Sequence, residues 1–191
     1  MRAYQLTAFG GPDVLELTDV DRPEVGPTEV GVEVRATSVN PVDVAVREHG
    51  DAWGLEAPLV VGYDVSGVVD TVGEAVERFE PGDEVFYTAE LTRWGTYAEY
   101  HVERAANVAH KPDRLDHAEA ASLPLVACTA WEALVERADV GPGDTVLVNG
   151  VGGVGQQAVQ LAAGAGARVL ARASPETTGL AADLGADLVV D

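Results

Sequence analysis

Four glycines fall within six successive positions, Gly150-Val151-Gly152-Gly153-Val154-Gly155. The pattern G-x-G-x-x-G says little alone. Here an apolar run at 146–148 leads into it and a helix-forming stretch follows, and that setting gives it a chemistry. Gly150 permits a tight turn from strand to helix, and Gly152 removes a side chain so that backbone N–H groups can close on a diphosphate. Gly155 lets the helix pack closely on the strand. Gly153 and Val154 open the helix, where N–H groups lack partners and the dipole is positive. The chemistry implied is dinucleotide binding; a glycine-rich turn that holds nothing is the alternative.

The end of the next apolar run should select the dinucleotide. An acid there accepts the adenosine ribose hydroxyls of NAD(H), whereas a basic or small polar residue accommodates the 2′-phosphate of NADP(H). The sequence reads "VLARASPE", with Arg172 and Ser174 at the strand end and no acid before Glu176. NADP(H) is favoured over NAD(H), the alternative being that Arg172 merely faces solvent.

These residues need a scaffold. Strands are expected at 145–149, 168–172 and 188–190, with helices at 153–165 and 175–184 between them; such alternation makes a parallel sheet. Val154, Ala158, Leu161 and Ala162 would form the face of the first helix that packs on it. The chain before this region reads as strands and turns. "EVGVEVRAT" alternates apolar and other residues with period two. "LVVGYDVSGVVDTVG" is a long apolar strand in which Gly62 and Gly67 suggest bends or bulges. Near Asp116, an N-cap candidate, the pattern turns helical, and Pro124 restarts a second helix.

The chain carries 32 Asp and Glu against 12 Lys and Arg, a formal net charge of −20. That field repels phosphate backbones and anionic lipid, so nucleic acid and membrane surfaces are not expected partners. The acids are scattered, which suits a folded acidic surface in a cytoplasm of high salt. A single cysteine, Cys128, fits a reducing interior. No signal pattern opens the chain, and no apolar run approaches the ~18 residues of a spanning helix, so a soluble cytoplasmic protein is expected.

The motifs "SVNPVDVAVREHG", "PLVVGYDVSGVVDTVGEAVERFEPGDEVF", "GTYAEYHV", "AASLPLVACTAWEAL" and "NGVGGVGQQAVQLA", in this order, resemble the zinc-independent quinone oxidoreductase branch of the medium-chain dehydrogenase/reductase superfamily. The resemblance implies an α/β chain with a β-rich N-terminal part: a GroES-like β domain over 1–120, then a partial Rossmann domain over 121–191. Its sheet would be the first βαβαβ half. The active site would lie between the domains.

The zinc enzymes of the superfamily place a cysteine where this chain has Asn40 and a histidine where it has Tyr63. Their four-cysteine lobe has no counterpart between Phe86 and Gly95. A catalytic zinc needs three ligands of Cys, His or acidic type, and His49, His101, His110 and His117 show no ligand spacing. No zinc is expected. The implied reaction is hydride transfer from NADPH to a small-molecule quinone or enone. Asn40 would polarise the substrate or nicotinamide as a donor, or else satisfy loop backbone. Thr129 would touch the nicotinamide side, and Trp53 and Tyr63 would line the substrate pocket. Asp43 and Arg47 look like an internal ion pair, and Cys128 like a small buried hydrophobe.

The chain departs from the family at Ala45, where a tyrosine is common, and at Thr177, where a lysine often reaches the 2′-phosphate. Only the first half of a dinucleotide-binding domain is expected before the sequence stops, as in the leading part of a longer enzyme, itself a possible homodimer. Two other readings stay open: a non-catalytic remnant that binds NADP(H) or its adenosine half, and an alcohol dehydrogenase-type oxidoreductase of another substrate.

Overall fold

The computed structural model describes residues 1–90, 93 and 95–190. Part of the segment compared above with the four-cysteine lobe therefore lies outside the described residues. The chain divides into two compact units, Met1–Pro124 and Leu125–Asp191.

The first unit is a GroES-like β domain. Its larger sheet has the order β7-β3-β5-β6-β8, built from β3 (Glu29–Ala36), β5 (Asp64–Val72), β6 (Glu84–Thr88), β7 (Tyr100–Arg104) and β8 (Ala109–His110). All its pairings are antiparallel. A smaller antiparallel sheet joins β2 (Leu15–Asp19), β1 (Arg2–Leu6) and β4 (Leu59–Val60). Val30, Val32, Val65, Val69, Phe79, Val85, Tyr87 and Val108 form the main core. Each fully buried valine there is worth about 1.5–3 kcal/mol of transfer free energy.

Two details depart from the period-two reading. The apolar stretch at 59–73 is two strands, because Gly62 takes a φ of +104° and breaks the run. On β3, Gly31 is buried along with its valine neighbours: the Tyr100 side chain lies over it, so that a Cβ would sit 1.6 Å from the Tyr100 hydroxyl. Helix α1 (Pro41–His49) starts at Asn40 with proline in its first turn, which suits a position whose N–H needs no intrahelical partner. Val46 from α1 packs with Leu6 and Val61 in a satellite core. Helix α2 (His117–Ala121) is opened by Asp116, which accepts the Glu119 N–H in a capping box.

The second unit is the first βαβαβ half of a Rossmann sheet. Strands β9 (Thr145–Asn149), β10 (Arg168–Arg172) and β11 (Leu188–Val190) run parallel in the order β11-β10-β9. Helix α3 (Pro124–Trp131) continues into a π-helical turn at Glu132–Arg137 that the sequence pattern did not announce. Helix α4 (Gly153–Gly164) follows β9, and α5 (Thr178–Asp183) follows β10. α5 is shorter than expected because its first turn is taken by Ser174, whose carbonyl accepts the N–H groups of Thr177 and Thr178. The buried face of α4 also differs from expectation. Ala162 is buried as expected and Ala158 and Leu161 are half-buried, but Val154 is exposed and Gly155 and Val159 are buried instead. Gly155 sets that phase, since only glycine can lie against the strand end there.

Candidate functional site

The glycine turn is open where a ligand would need it open and closed where the fold needs it closed. Gly150 has a φ of +104°, a conformation other residues reach only with strain. A Cβ built on Gly150 or Gly152 meets nothing within 4 Å. A Cβ on Gly155 would lie 1.9 Å from the Gly150 carbonyl oxygen, so helix and strand touch there through bare backbone. Gly152 is the N-cap of α4 and offers no side-chain cap, which leaves the first N–H groups of the helix facing outward.

Beside this turn lies a concavity of about 480 Å³ lined by Asn149, Gly150, Arg172, Ala173, Ser174 and Pro175. It brings together three of the sequence-predicted cofactor residues: Gly150, Arg172 and Ser174. The parallel register explains why, for Asn149 and Arg172 are direct partners at the ends of β9 and β10. Arg172 is exposed, and its guanidinium makes no hydrogen bond or ion pair among the described residues. Most other basic side chains are engaged by acids, as in Arg2–Glu99, Arg137–Glu132 and Lys111–Glu84. The Ser174 hydroxyl lies 3.2 Å from that of Thr177. It also draws the exposed Glu176 carboxyl below its ordinary range, with a backbone N–H assisting. An open backbone cradle beside a free cation fits the diphosphate and a further phosphate of a dinucleotide.

Thr129 stands on α3 with its hydroxyl donating to the Leu125 carbonyl at 2.7 Å, outside the residues that line this concavity. Cys128 is exposed, which corrects the expectation of a small buried hydrophobe. At that point of α3 the buried position is Ala130, and Cys128 borders a separate hollow with Trp131, Gln157 and Leu161.

In the β domain, Asn40 is 6% exposed. Its amide Nδ2 donates to Ser38 Oγ at 3.0 Å and to Asp64 Oδ2 at 2.8 Å. The Ser38 hydroxyl donates to the same Asp64 oxygen at 2.5 Å. A carboxylate oxygen can only accept, so the orientation of the Asn40 amide follows from chemistry. Both of its donors are therefore engaged inside the protein. The Asn40 side chain also reaches the Asp43 N–H in the reciprocal arrangement of a capping box. Asp43 returns the contact: its Oδ2 accepts the Asn40 N–H at 2.6 Å.

The expected Asp43–Arg47 pair is not formed. Arg47 donates to the Gly10 carbonyl and pairs with Glu48, while Asp43 points to the buried side of α1. Burial raises the Asp43 carboxyl above its ordinary range, with the Asp64 charge adding to the effect and the Asn40 N–H and Tyr97 hydroxyl opposing it. Tyr63 is 3% exposed, and its phenol is raised by burial and then by Asp43. Trp53, 56% exposed, ends a short 3₁₀ turn after α1. Asp64, Ser38 and Tyr97 escaped the sequence reading. The signal was present: an acid inside the apolar stretch "LVVGYDVSGVV" must be buried with donors around it.

A GroES-like β domain followed by the first βαβαβ half of a Rossmann sheet is the leading part of a medium-chain dehydrogenase/reductase fold. Residues 26–113 match the alcohol dehydrogenase GroES-like domain. Over all or nearly all of its length the chain is similar to quinone and alkenal oxidoreductases of the medium-chain dehydrogenase/reductase superfamily. An NADPH-dependent alkenal/one oxidoreductase, chloroplastic, of Arabidopsis thaliana is 41% identical over 204 residues, covering 100% of this chain and 52% of the relative. The structure of the quinone oxidoreductase from Coxiella burnetii aligns with a TM-score of 0.88 at 33% identity, over 100% of this chain and 62% of that one. An NAD-dependent alcohol dehydrogenase structure gives a TM-score of 0.92 at 42% identity, over 100% and 63%. The chain spans about half the length of the curated relatives it matches. No helix among the described residues is long and apolar enough to cross a membrane.

Proposed function

We propose that this chain supplies the β domain and dinucleotide cradle of an NADP(H)-dependent oxidoreductase that reduces a quinone or α,β-unsaturated carbonyl without zinc. One observation carries the reading: an unpaired Arg172, with the Ser174 hydroxyl near it, stands beside an open, glycine-lined helix start. The N–H groups at 152–154 would hold the diphosphate, and Arg172 with Ser174 the 2′-phosphate. The bound cofactor supplies the hydride; the protein's share is to orient and to exclude water. Asn40 would serve the site by fixing the start of α1, and through its carbonyl oxygen rather than as a donor, since Nδ2 is engaged. The residue types at Asn40 and Tyr63, an amide and a phenol, support the zinc-free reading, because neither is a zinc ligand type.

Arg172→Ala tests the assignment. Losing a charge-assisted contact worth about 1.5–3 kcal/mol should weaken NADPH roughly 10-fold or more and leave NADH unchanged, followed by fluorescence titration. Equal losses for both cofactors would remove Arg172 from the 2′-phosphate site. A second reading, NAD(H) use, is favoured by the ionised Glu176 next to Ser174 and by the likeness to an NAD-dependent alcohol dehydrogenase. Tighter binding of NADH than NADPH by the unaltered chain would decide for it.

A further inference from the structure

Asp43 has a role that the cofactor reading does not use. Its side chain is 96% removed from solvent, at 4% exposure, and only one of its oxygens is satisfied: Oδ2 accepts the Asn40 N–H, while Oδ1 has no hydrogen-bond partner. The Tyr97 hydroxyl is likewise buried without a formed hydrogen bond, and lies near enough for it and Asp43 to perturb each other's ionisation. The groups facing Asp43 are the Asp64 carboxylate from β5, the Tyr63 phenol just before β5 and the Tyr97 phenol ahead of β7. On α1 itself, Arg47 is turned to Gly10 and Glu48, and His49 and Glu48 are at the far end. No cation among the described residues pairs with Asp43.

A carboxylate buried beside a second carboxylate, with one formed N–H donor, only a phenol near its other oxygen and no cation, holds a proton more tightly than an exposed one does. Asp64 is better furnished for the charge, because one of its oxygens receives both the Ser38 hydroxyl and the Asn40 amide. We propose that Asp43 is a neutral carboxylic acid at neutral pH, its proton on Oδ1 facing the Tyr97 oxygen, while the charge of the pair rests on Asp64. The start of α1, where Asn40 sits, is thereby built over a buried proton site. This inference does not depend on the cofactor assignment.

The linkage has a definite sign. The folded chain retains a proton on Asp43 that the unfolded chain releases in the ordinary carboxylate range. Stability therefore falls as pH rises from that range through the folded-state titration, and is flat beyond it. The test is carboxyl-carbon NMR of the full chain against pH, with Asp43→Asn assigning the signal. Asp43 should keep the shift of a protonated acid at about pH 6, where an ordinary exposed carboxyl has lost it. Asp43→Asn keeps an acceptor for the Asn40 N–H and gives Tyr97 a donor. It should be at least as stable as the parent at alkaline pH in denaturant melts and lack the parent's downward slope. If Asp43 titrates with the exposed aspartates, or if the variant keeps the slope, the proposal is wrong. Should Asp43→Asn not fold, the parent titration, assigned through its contact with Tyr97, decides alone.

Discussion

The two units put polar chemistry to opposite uses. Around Asn40 the polar groups are buried and bound to one another: Ser38, Asn40 and Asp64 close a network, and Asp43 ties the backbone of Asn40 to α1. Around Gly150 the turn is bare of side chains, the start of α4 has no side-chain cap, and an unpaired Arg172 borders a concavity. The first arrangement, the unpartnered Asp43 Oδ1 apart, is bonded to itself and can fix a shape. The second is unsaturated and can bind. A binding site of this kind is recognised by what its groups lack rather than by the contacts they make, which is why the open turn carries the functional reading.

The sharpest way to break this contrast lies within the glycine turn itself. Gly155→Ala would drive a Cβ against the Gly150 carbonyl oxygen, a backbone atom that cannot step aside. The expected cost is about 3 kcal/mol or more, read as loss of the second unit's thermal transition. Gly152→Ala should leave stability within about 0.5 kcal/mol, because its Cβ points into open space. It should nonetheless cut cofactor affinity, the Cβ standing where the diphosphate must approach. If both variants are equally stable, the helix does not depend on bare backbone at Gly155.

Next in size is the saturated network. Asp64→Ala strips the acceptor from the half-buried Ser38 hydroxyl and from one N–H of the buried Asn40 amide. At about 1–3 kcal/mol for each orphaned donor, the first unit should lose roughly 2–4 kcal/mol, measured by urea unfolding. A loss below about 0.5 kcal/mol would mean that water replaces the carboxylate and that the network is not closed.

Local signals in the sequence foretold the glycine turn well. Gly150, Gly152 and Gly155 act through backbone geometry that depends on neighbours within six residues, so their spacing exposes them. Asp116 was legible for the same reason, being a cap whose partner lies within one turn. The network around Asp64 was not, because Ser38 and Asn40 meet it across 26 and 24 residues of chain. The Asp43–Arg47 pair that the sequence suggests does not form, because Asp43 is turned inward and Arg47 is held by the Gly10 carbonyl. The π-helical turn after Trp131 and the buried phase of α4 both depended on packing. A 3.6-residue pattern rich in alanine does not specify which stripe faces the sheet.

The smallest expected effect uses charge to separate the same two regions. The excess of acids, 32 against 12 basic residues, is concentrated in Met1–Pro124. Two opposing terms respond to salt. Exposed pairs such as Arg2–Glu99 and Arg35–Glu33 lose their attraction, but each is worth only about 0–1 kcal/mol at low salt. Against this stands repulsion among many unpaired carboxylates, which screening over about 3 Å at 1 M salt removes. With so few cations available, relief of repulsion wins. Molar potassium chloride should raise the melting temperature, at about 2–4 °C for each kcal/mol gained. The shift should be larger in the β domain than in the sheet unit, as resolved by hydrogen exchange of the two regions. Equal shifts would mean that charge is not what distinguishes the units' stability. A downward shift would mean that the ion pairs outweigh the repulsion, and the reading of this acidic surface as an adaptation to high salt would fall with it.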